Sequence, residues 1–517
     1  MGHDKDLEGH VEIGPIANVE LENAAVLLDL DAAKVGIGGR ALKLAKDGHT
    51  ILVPQPSDDP NDPLNWSETK KSAILFTISA AAFIADFQAA LGAADLVPQG
   101  VEWHMTPNKV NYAGNLNVLL VGIGGLFWLP IISIWGRAPV LFWVILTGTC
   151  FTLGCAFVKD FMGYYAVRAL MGFTLTGGQT IGLAFIQDMY FFHQQARKIG
   201  IWTAVFLASP YCGPLFGYFI VAKTGEWRPT FWMTFGLGCA IMVAILLFAD
   251  ETWYRRDIPQ EQQPNRGSRI MRVLGVWQLS HRKDYFMPAP QAFRRTVALV
   301  AKPIIAPILI FYLMNFMWAV GINQTSSILF ETPREEGGYG LGPLSVGYLC
   351  FTPVVGVLIG ESIGHWFNDW LVNRYIYTHE GIFKPEARLT AIYPSQVFMV
   401  AGLVLVGQSL KHVLSWVALA FGWGMYVAGI MIVSVAITAY ALDSYPNAPG
   451  ELSAFVNFAR IIGGFAVGYF QLEWGVRSGF DVSFGVQAAV VGASSIIIVV
   501  LHVWGEKIRA KGGSLNV

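Results

Sequence analysis

Asp86, Gln88, Arg168, Glu361 and Arg460 are polar or charged side chains set in stretches that are otherwise apolar. A carboxylate in such a setting can take up and release a proton or hold a cation, because burial raises its pKa towards neutrality. A guanidinium stays charged there and must find carboxylates or carbonyls. Centring one charge in hydrocarbon costs on the order of 2.5–3.5 kcal/mol, so each needs a partner, a cavity or a task. Asp86, followed by Gln88, makes a polar face about fourteen residues into the first apolar run, roughly 21 Å by helical rise. The plainer alternative is a residue near the outer interface that reaches water. Glu361 and Arg460 are candidates to pair, as a coupling element or, preferably, as a static clasp. For Arg168, at the start of the fourth run, the plain reading is a structural partner for a carbonyl cluster.

The elements that must position these groups are apolar runs about 20 residues long, enough to cross about 30 Å of hydrocarbon as helices. They fall at about 72–93, 112–132, 139–158, 164–187, 199–221, 231–249, 303–321, 344–366, 389–408, 414–437, 451–470 and 484–504. Lipid offers the backbone no hydrogen-bond partner, so each run must close its own bonds. The expected fold is an all-α membrane protein with twelve transmembrane helices in two six-helix halves. With 54% hydrophobic and only 14% charged residues, the chain carries about half the charge of a soluble protein. A net charge of −1 and the lack of a basic run give no argument for nucleic acid.

Twelve spans place both ends on one side. Lys109, Lys159, Lys223, Arg228, Arg334, Lys411 and Arg477 fall in the loops between odd and even spans. Most other lysines and arginines lie on the opposite side, which favours cytosolic termini. The organisation expected is a cytosolic tail at 1–71, a first half at 72–249, a central cytosolic loop at 250–302, a second half at 303–504 and a tail at 505–517. The tail at 1–71 is polar and mixed in charge, so no cleavable leader is expected. The central stretch DETWYRRDIPQEQQPNRGSR reads as a solvated linker with little core of its own. Before span 1, QPSDDPNDPLNW favours turns. Six spans on either side of one loop is the layout of secondary transporters built from repeats.

The turn after span 2 reads PIISIWGRAPVLFW, in which Gly136 allows a tight turn and Arg137 can reach phosphate or helix-end carbonyls. A related element, GHWFNDWLVNRY with Gly364, Asp369 and Arg374, follows span 8. Span 5 carries Gly213, Pro214 and Gly217, where the missing backbone donor and the small residues predict a kinked, closely packed helix. With DPNDPLNW at 59–66, VRALMGF around Arg168, DETWYRR after span 6, KPEARL at 384–389 and ALDSYP followed by FARIIGGF, the order of these motifs resembles the major facilitator superfamily. The branch it most resembles is the fungal twelve-span drug:proton antiporters and their polyamine-transporter relatives, over about 55–505.

The resemblance implies proton coupling for Arg168, an antiporter signature at Gly213, Pro214 and Gly217, and a central cavity lined by spans 1, 4, 7 and 10. Cavity candidates are then Asn315 and Trp318 in span 7 and Phe421, Trp423 and Tyr426 in span 10, suited to amphipathic or cationic solutes. Lipid-facing aromatics are the common alternative. Ser133 and Ala138 stand where the family's loop motif has an acidic residue and an arginine. The relay around Gly136 and Arg137 is therefore expected to be incomplete, and Asp369 and Arg374 to keep it in the second half.

Of two N-glycosylation sequons, at Asn65 and Asn323, only Asn323 falls on the outer side. The cysteines Cys150, Cys155, Cys212, Cys239 and Cys350 lack metal-ligand spacing and read as packing residues. Neither metal nor cofactor is expected, and glycine clusters at 36–39 and 122–125 are not phosphate loops. No catalytic constellation appears, so an enzyme is not expected. The expected function is proton-coupled export of a drug-like compound or secondary metabolite across a plasma membrane. The partners are the lipid bilayer, a small-molecule substrate and protons, and the chain is expected to act as a monomer. Uptake of a cationic metabolite such as a polyamine, or a non-transporting sensor, are the alternatives.

Overall fold

The computed structural model describes residues 43–44, 52–334, 339–379, 383–445 and 448–513. Twelve helices are long and apolar enough to cross a membrane: α1 Glu68–Leu91, α2 Pro107–Trp135, α3 Arg137–Phe157, α4 Phe161–Met189, α5 Phe192–Thr224 and α6 Arg228–Phe248, then α7 Ile305–Gln324, α8 Pro343–Thr378, α9 Pro385–His412, α10 Trp416–Ser444, α11 Pro449–Ser478 and α12 Phe480–Gly512. The sequence-based boundaries hold within a few residues at most ends. The chief exceptions are the start of α5 and the ends of α8, α10, α11 and α12, which run well past the apolar stretch as their polar turns stay helical. The glycine cluster at 36–39 lies outside the described residues.

Local chemistry sets several helix ends. Ser67 caps α1 by accepting from the Lys70 backbone N–H, and Asp160 caps α4 by accepting from Gly163. Gly136 takes φ +96° and is the whole connection between α2 and α3; Gly479 at +90° does the same between α11 and α12. An L side chain rarely adopts that backbone conformation.

Residues of α1 to α6 build one apolar core, while α7 to α12, joined by part of α5, build a second. The halves meet along α2 with α11 and along α5 with α8. The most apolar windows of α1 and α4 are 83% buried and that of α6 only 28%, so α1 and α4 lie inside the bundle and α6 faces outwards. Gly213 and Gly217 lie against the α1 backbone at Phe87 and Leu91, so the span-5 motif seats α1 against α5.

The central connection differs from the solvated linker expected. It folds into short helices Arg269–Leu274, Val276–Tyr285 and Ala289–Val300, with a small aromatic core of Trp277, Tyr285 and Phe286. Val273 and Leu299 bury into the two cores, and charge pairs fasten it further. Asp250 bridges Lys70 (2.8 Å) and Arg272 (2.9 Å), and Arg256 bridges Asp62 (2.9 Å) in the turn before α1.

Candidate functional site

Asp86 and Arg460 meet at the junction of the halves. The Arg460 guanidinium donates to the Asp86 carboxylate at 2.5 Å and to the Asn457 side-chain oxygen at 2.7 Å, and both charged side chains are buried. Asn457 reaches Gln179 of α4 at 3.5 Å. The guanidinium sits near Phe206 of α5 and Phe316 of α7, 4.9 and 5.3 Å from the ring centroids, a cation–π arrangement that holds the planar fork in place. Five helices, α1, α4, α5, α7 and α11, thus converge on one ion pair. A small cavity of about 40 Å³ opens beside it, with Tyr211, Asn323, Gln324 and a floor of alanine and valine.

This geometry corrects the expected clasp between Glu361 and Arg460. Arg460 turns inwards to the other half, and Glu361 instead lies 3.3 Å from His365, one turn along α8. It also corrects the aromatic cavity candidates. On α7 the cavity is lined by Phe316, Ala319, Val320, Asn323 and Gln324, one continuous helical face. Asn315 and Trp318 sit on the neighbouring face and pack within the second half. There the Asn315 amide donates to Ser494 at 2.8 Å, and the Tyr426 hydroxyl donates to the Asn315 carbonyl at 2.6 Å. Trp423 is fully buried against Phe330, whereas Phe421 is 64% exposed on the outer surface. Asn323 is no glycan acceptor in this conformation: its amide is buried and donates to the Pro210 carbonyl at 2.8 Å. Gln88 is fully buried behind the cavity, its amide without a partner among the described residues.

A second buried cluster lies beyond the end of α1; the sequence reading named Arg168 in it but missed Asp95 and Gln99. Arg168 donates to the Tyr164 hydroxyl (2.7 Å) and to the Ala89 carbonyl (3.1 Å), and Gly92 leaves room for its guanidinium. Nearby, fully buried Asp95 faces the Thr230 hydroxyl at 3.1 Å, and the buried Gln99 amide lies beside Tyr164. Trp227 and Arg228 close the outer edge through Glu102. Burial pushes the Asp95 carboxyl up to about 8, although the Arg168 charge and the Thr230 hydrogen bond pull the other way. The available signal is an acid in ALGAADLVPQG, two residues past the end of the first apolar run and so outside the charges considered within spans.

A raised carboxyl pKa makes the folded state hold a proton that the unfolded chain has lost. Stability should therefore fall as pH rises from about 4 to about 8, by on the order of 1 kcal/mol per pH unit. Asp95→Asn is expected to flatten that slope in thermal unfolding scans of the detergent-solubilised chain between pH 5.5 and 8.

On the side carrying both described ends, two charge networks recur. In the first half, Arg137 pairs with Asp188 at 3.0 Å and lies over Trp253 at 4.2 Å. The fully buried Glu251 carboxylate accepts from the backbone N–H groups of Arg137 (3.1 Å) and Ala138 (3.2 Å). Burial raises the Glu251 carboxyl against those hydrogen bonds. The relay expected to be incomplete is thus completed by acids from α4 and from after α6. In the second half, Asp369 and Arg374 are exposed and Arg374 only stacks over Trp370. The corresponding pair is Arg388, at the start of α9, with Asp443 at the end of α10; Arg388 also reaches Asn368 at 3.4 Å. Both halves therefore tie the start of their third helix to the end of their fourth.

A sequence model described as Major Facilitator Superfamily matches residues 74–468. The MFS-type transporter hepF of Aspergillus oryzae is 24% identical over 469 residues, covering 88% of this chain and 93% of that protein. Efflux pump radE of Floropilus chiversii is 23% identical over 513 residues (97% and 93%). The citrinin biosynthesis cluster MFS transporter mrr1 of Monascus ruber is 23% identical over 465 residues (88% and 90%). Among solved structures, the proton:xylose symporter XylE bound to 6-bromo-6-deoxy-D-glucose superposes with a TM-score of 0.60 at 12% identity, covering 84% of this chain and 96% of that one.

Proposed function

The chain belongs to the major facilitator superfamily, and from that premise we propose that it is a proton-coupled exporter of a small organic molecule. The observation that carries the reading is the buried Asp86/Arg460 pair across the two halves. With Asp86 ionised, the pair holds α1 to α11 and favours the closed arrangement. A proton on Asp86 removes the carboxylate that Arg460 needs, so protonation biases the halves towards separation. A substrate donor group and a proton would compete for the same carboxylate, which is the logic of exchange. Gly213, Pro214 and Gly217 position α1 behind Asp86 and serve that exchange. Arg168 and Asp95 would form a further proton site.

Relatives named as an efflux pump and as a citrinin-cluster transporter support export of a secondary metabolite or drug-like compound. Polyamine uptake fits less well. Asp86 is the only carboxylate among the described residues lining the cavity, and it is already neutralised. A polycation would need further acidic groups. We place the protein as a monomer in the plasma membrane with both termini and the central loop (250–302) in the cytosol, flanked by halves at 72–249 and 303–504.

The test is flux in proteoliposomes under an imposed pH gradient, with a panel of neutral and cationic aromatic compounds and spermidine. Gradient-dependent movement of the aromatic compounds supports the proposal. Gradient-dependent movement of spermidine alone would replace export by uptake.

A further inference from the structure

The helix Ala289–Val300 in the central connection has two apolar stripes, of which the protein covers one. Ala292, Thr296 and Leu299, spaced at i, i+4 and i+7, are buried, and the helix packs mainly against α2. Phe293, Val297 and Val300, with the same spacing one residue on, are exposed at 44, 68 and 43%. A helix whose second apolar stripe faces water has no reason to be stable there, because each exposed large side chain forgoes about 1.5–3 kcal/mol of burial.

The surroundings identify what lies against this stripe. The helix ends only four residues before α7 begins, and the Lys302 ammonium in that turn donates to the Gly512 carbonyl at the end of α12. The stripe is therefore level with the ends of spanning helices. Arg295 anchors the helix to Glu451 at the start of α11 (2.7 Å), and Arg294 is exposed beside the stripe. The neighbouring helix Arg269–Leu274 repeats the arrangement. Arg269 donates to the Leu246 and Leu247 carbonyls at the end of α6, and exposed Ile270 and Met271 continue the outward-facing apolar surface of Leu246, Leu247 and Phe248. Apolar side chains at the ends of spanning helices, beside the exposed Arg294 and the half-buried Arg269 and Lys302, match the boundary between acyl chains and phosphate headgroups.

We infer that the helix Ala289–Val300 is a membrane-surface helix that beds Phe293, Val297 and Val300 among phospholipid acyl chains, with Arg294 at the headgroup phosphates. Because Arg295 of the same helix holds Glu451 of the second half while the helix packs on α2 of the first, the lipid surface becomes part of the joint between halves. This assignment does not depend on which solute the protein carries.

The experiment places p-benzoylphenylalanine at Val297 in the full chain, reconstituted in phosphatidylcholine vesicles, and identifies photo-adducts by mass spectrometry. A phospholipid adduct at Val297 is expected, about tenfold above that from the same probe at exposed Gln262, which lies away from the stripe. Val300→p-benzoylphenylalanine serves as a second reporter should the first variant fail to fold. An adduct to residues 1–42, to a second copy of the chain, or lipid labelling equal to that at Gln262 would overturn the assignment.

Discussion

Asp86→Asn is expected to abolish pH-gradient-driven flux and to lower the thermal stability of the purified protein. The carboxamide keeps the shape of the side chain and one acceptor oxygen but removes the counter-charge, leaving the buried Arg460 guanidinium with only neutral partners among the described residues: the amide oxygens at 86 and of Asn457 and two aromatic rings. Removing one partner of a buried ion pair costs about 3–5 kcal/mol, because the remaining charge is desolvated without compensation. That corresponds to a factor of about 10² to nearly 10⁴ in the folding equilibrium constant. The double variant Asp86→Asn with Arg460→Gln removes both charges, so it should recover most of the lost stability and none of the coupled flux. The two readouts separate the structural role of the pair from its proton-binding role. If Asp86→Asn retained wild-type gradient-driven flux, the pair would be an architectural joint and coupling would have to reside elsewhere, with Asp95 the next candidate.

Gly136→Ala should be almost as damaging, for reasons wholly outside the cavity. At φ +96° an L side chain is strained by about 1–3 kcal/mol. The new methyl group would also lie 2.4 Å from a Glu251 carboxylate oxygen and 3.0 Å from the carboxyl carbon. Displacing Glu251 uncaps α3, since its carboxylate accepts from the Arg137 and Ala138 backbone, from Trp253 N–H at 2.9 Å and from the Gln278 amide at 2.9 Å. Buried donors left without an acceptor cost about 1–3 kcal/mol each. The strain together with a single donor left unpaired gives about 2–6 kcal/mol, which should appear as a lower unfolding temperature and as faster proteolysis in the central connection. Glu251→Ala should reproduce both effects. An unchanged unfolding temperature in Gly136→Ala would mean that the turn between α2 and α3 can relax around the methyl group.

Much of this site was legible one residue at a time and little of it in pairs. The charges of Asp86, Arg168 and Arg460 stood out because apolar surroundings make any ion conspicuous. Their partners did not, since Asp86 and Arg460 are 374 residues apart. Glu361 was a candidate partner for Arg460, whereas the helices turn Arg460 towards the first half. On α7 the error was one of azimuth. Asn315 and Trp318 are the chemically richer residues, but the cavity face runs through Phe316, Ala319, Val320, Asn323 and Gln324, about 100° away. In the gating elements, Asp369 and Arg374 matched a motif by spacing, while Arg388 and Asp443 occupied the geometry.

The sequence alone determined that twelve helices cross a membrane in two sets of six, because hydropathy and backbone satisfaction in lipid are properties of each segment by itself. It also determined where the ionisable groups lie along each helix. Only the tertiary structure decided which face of each helix looks inwards, that Glu251 and Asp188 complete the turn around Gly136, and that the central connection folds. The physical reason for the first is that a helix in hydrocarbon is apolar all round, and for the other two that the partners lie far apart along the chain. A helix's rotation and its long-range ion pairs are set by packing against neighbours, which local periodicity does not encode.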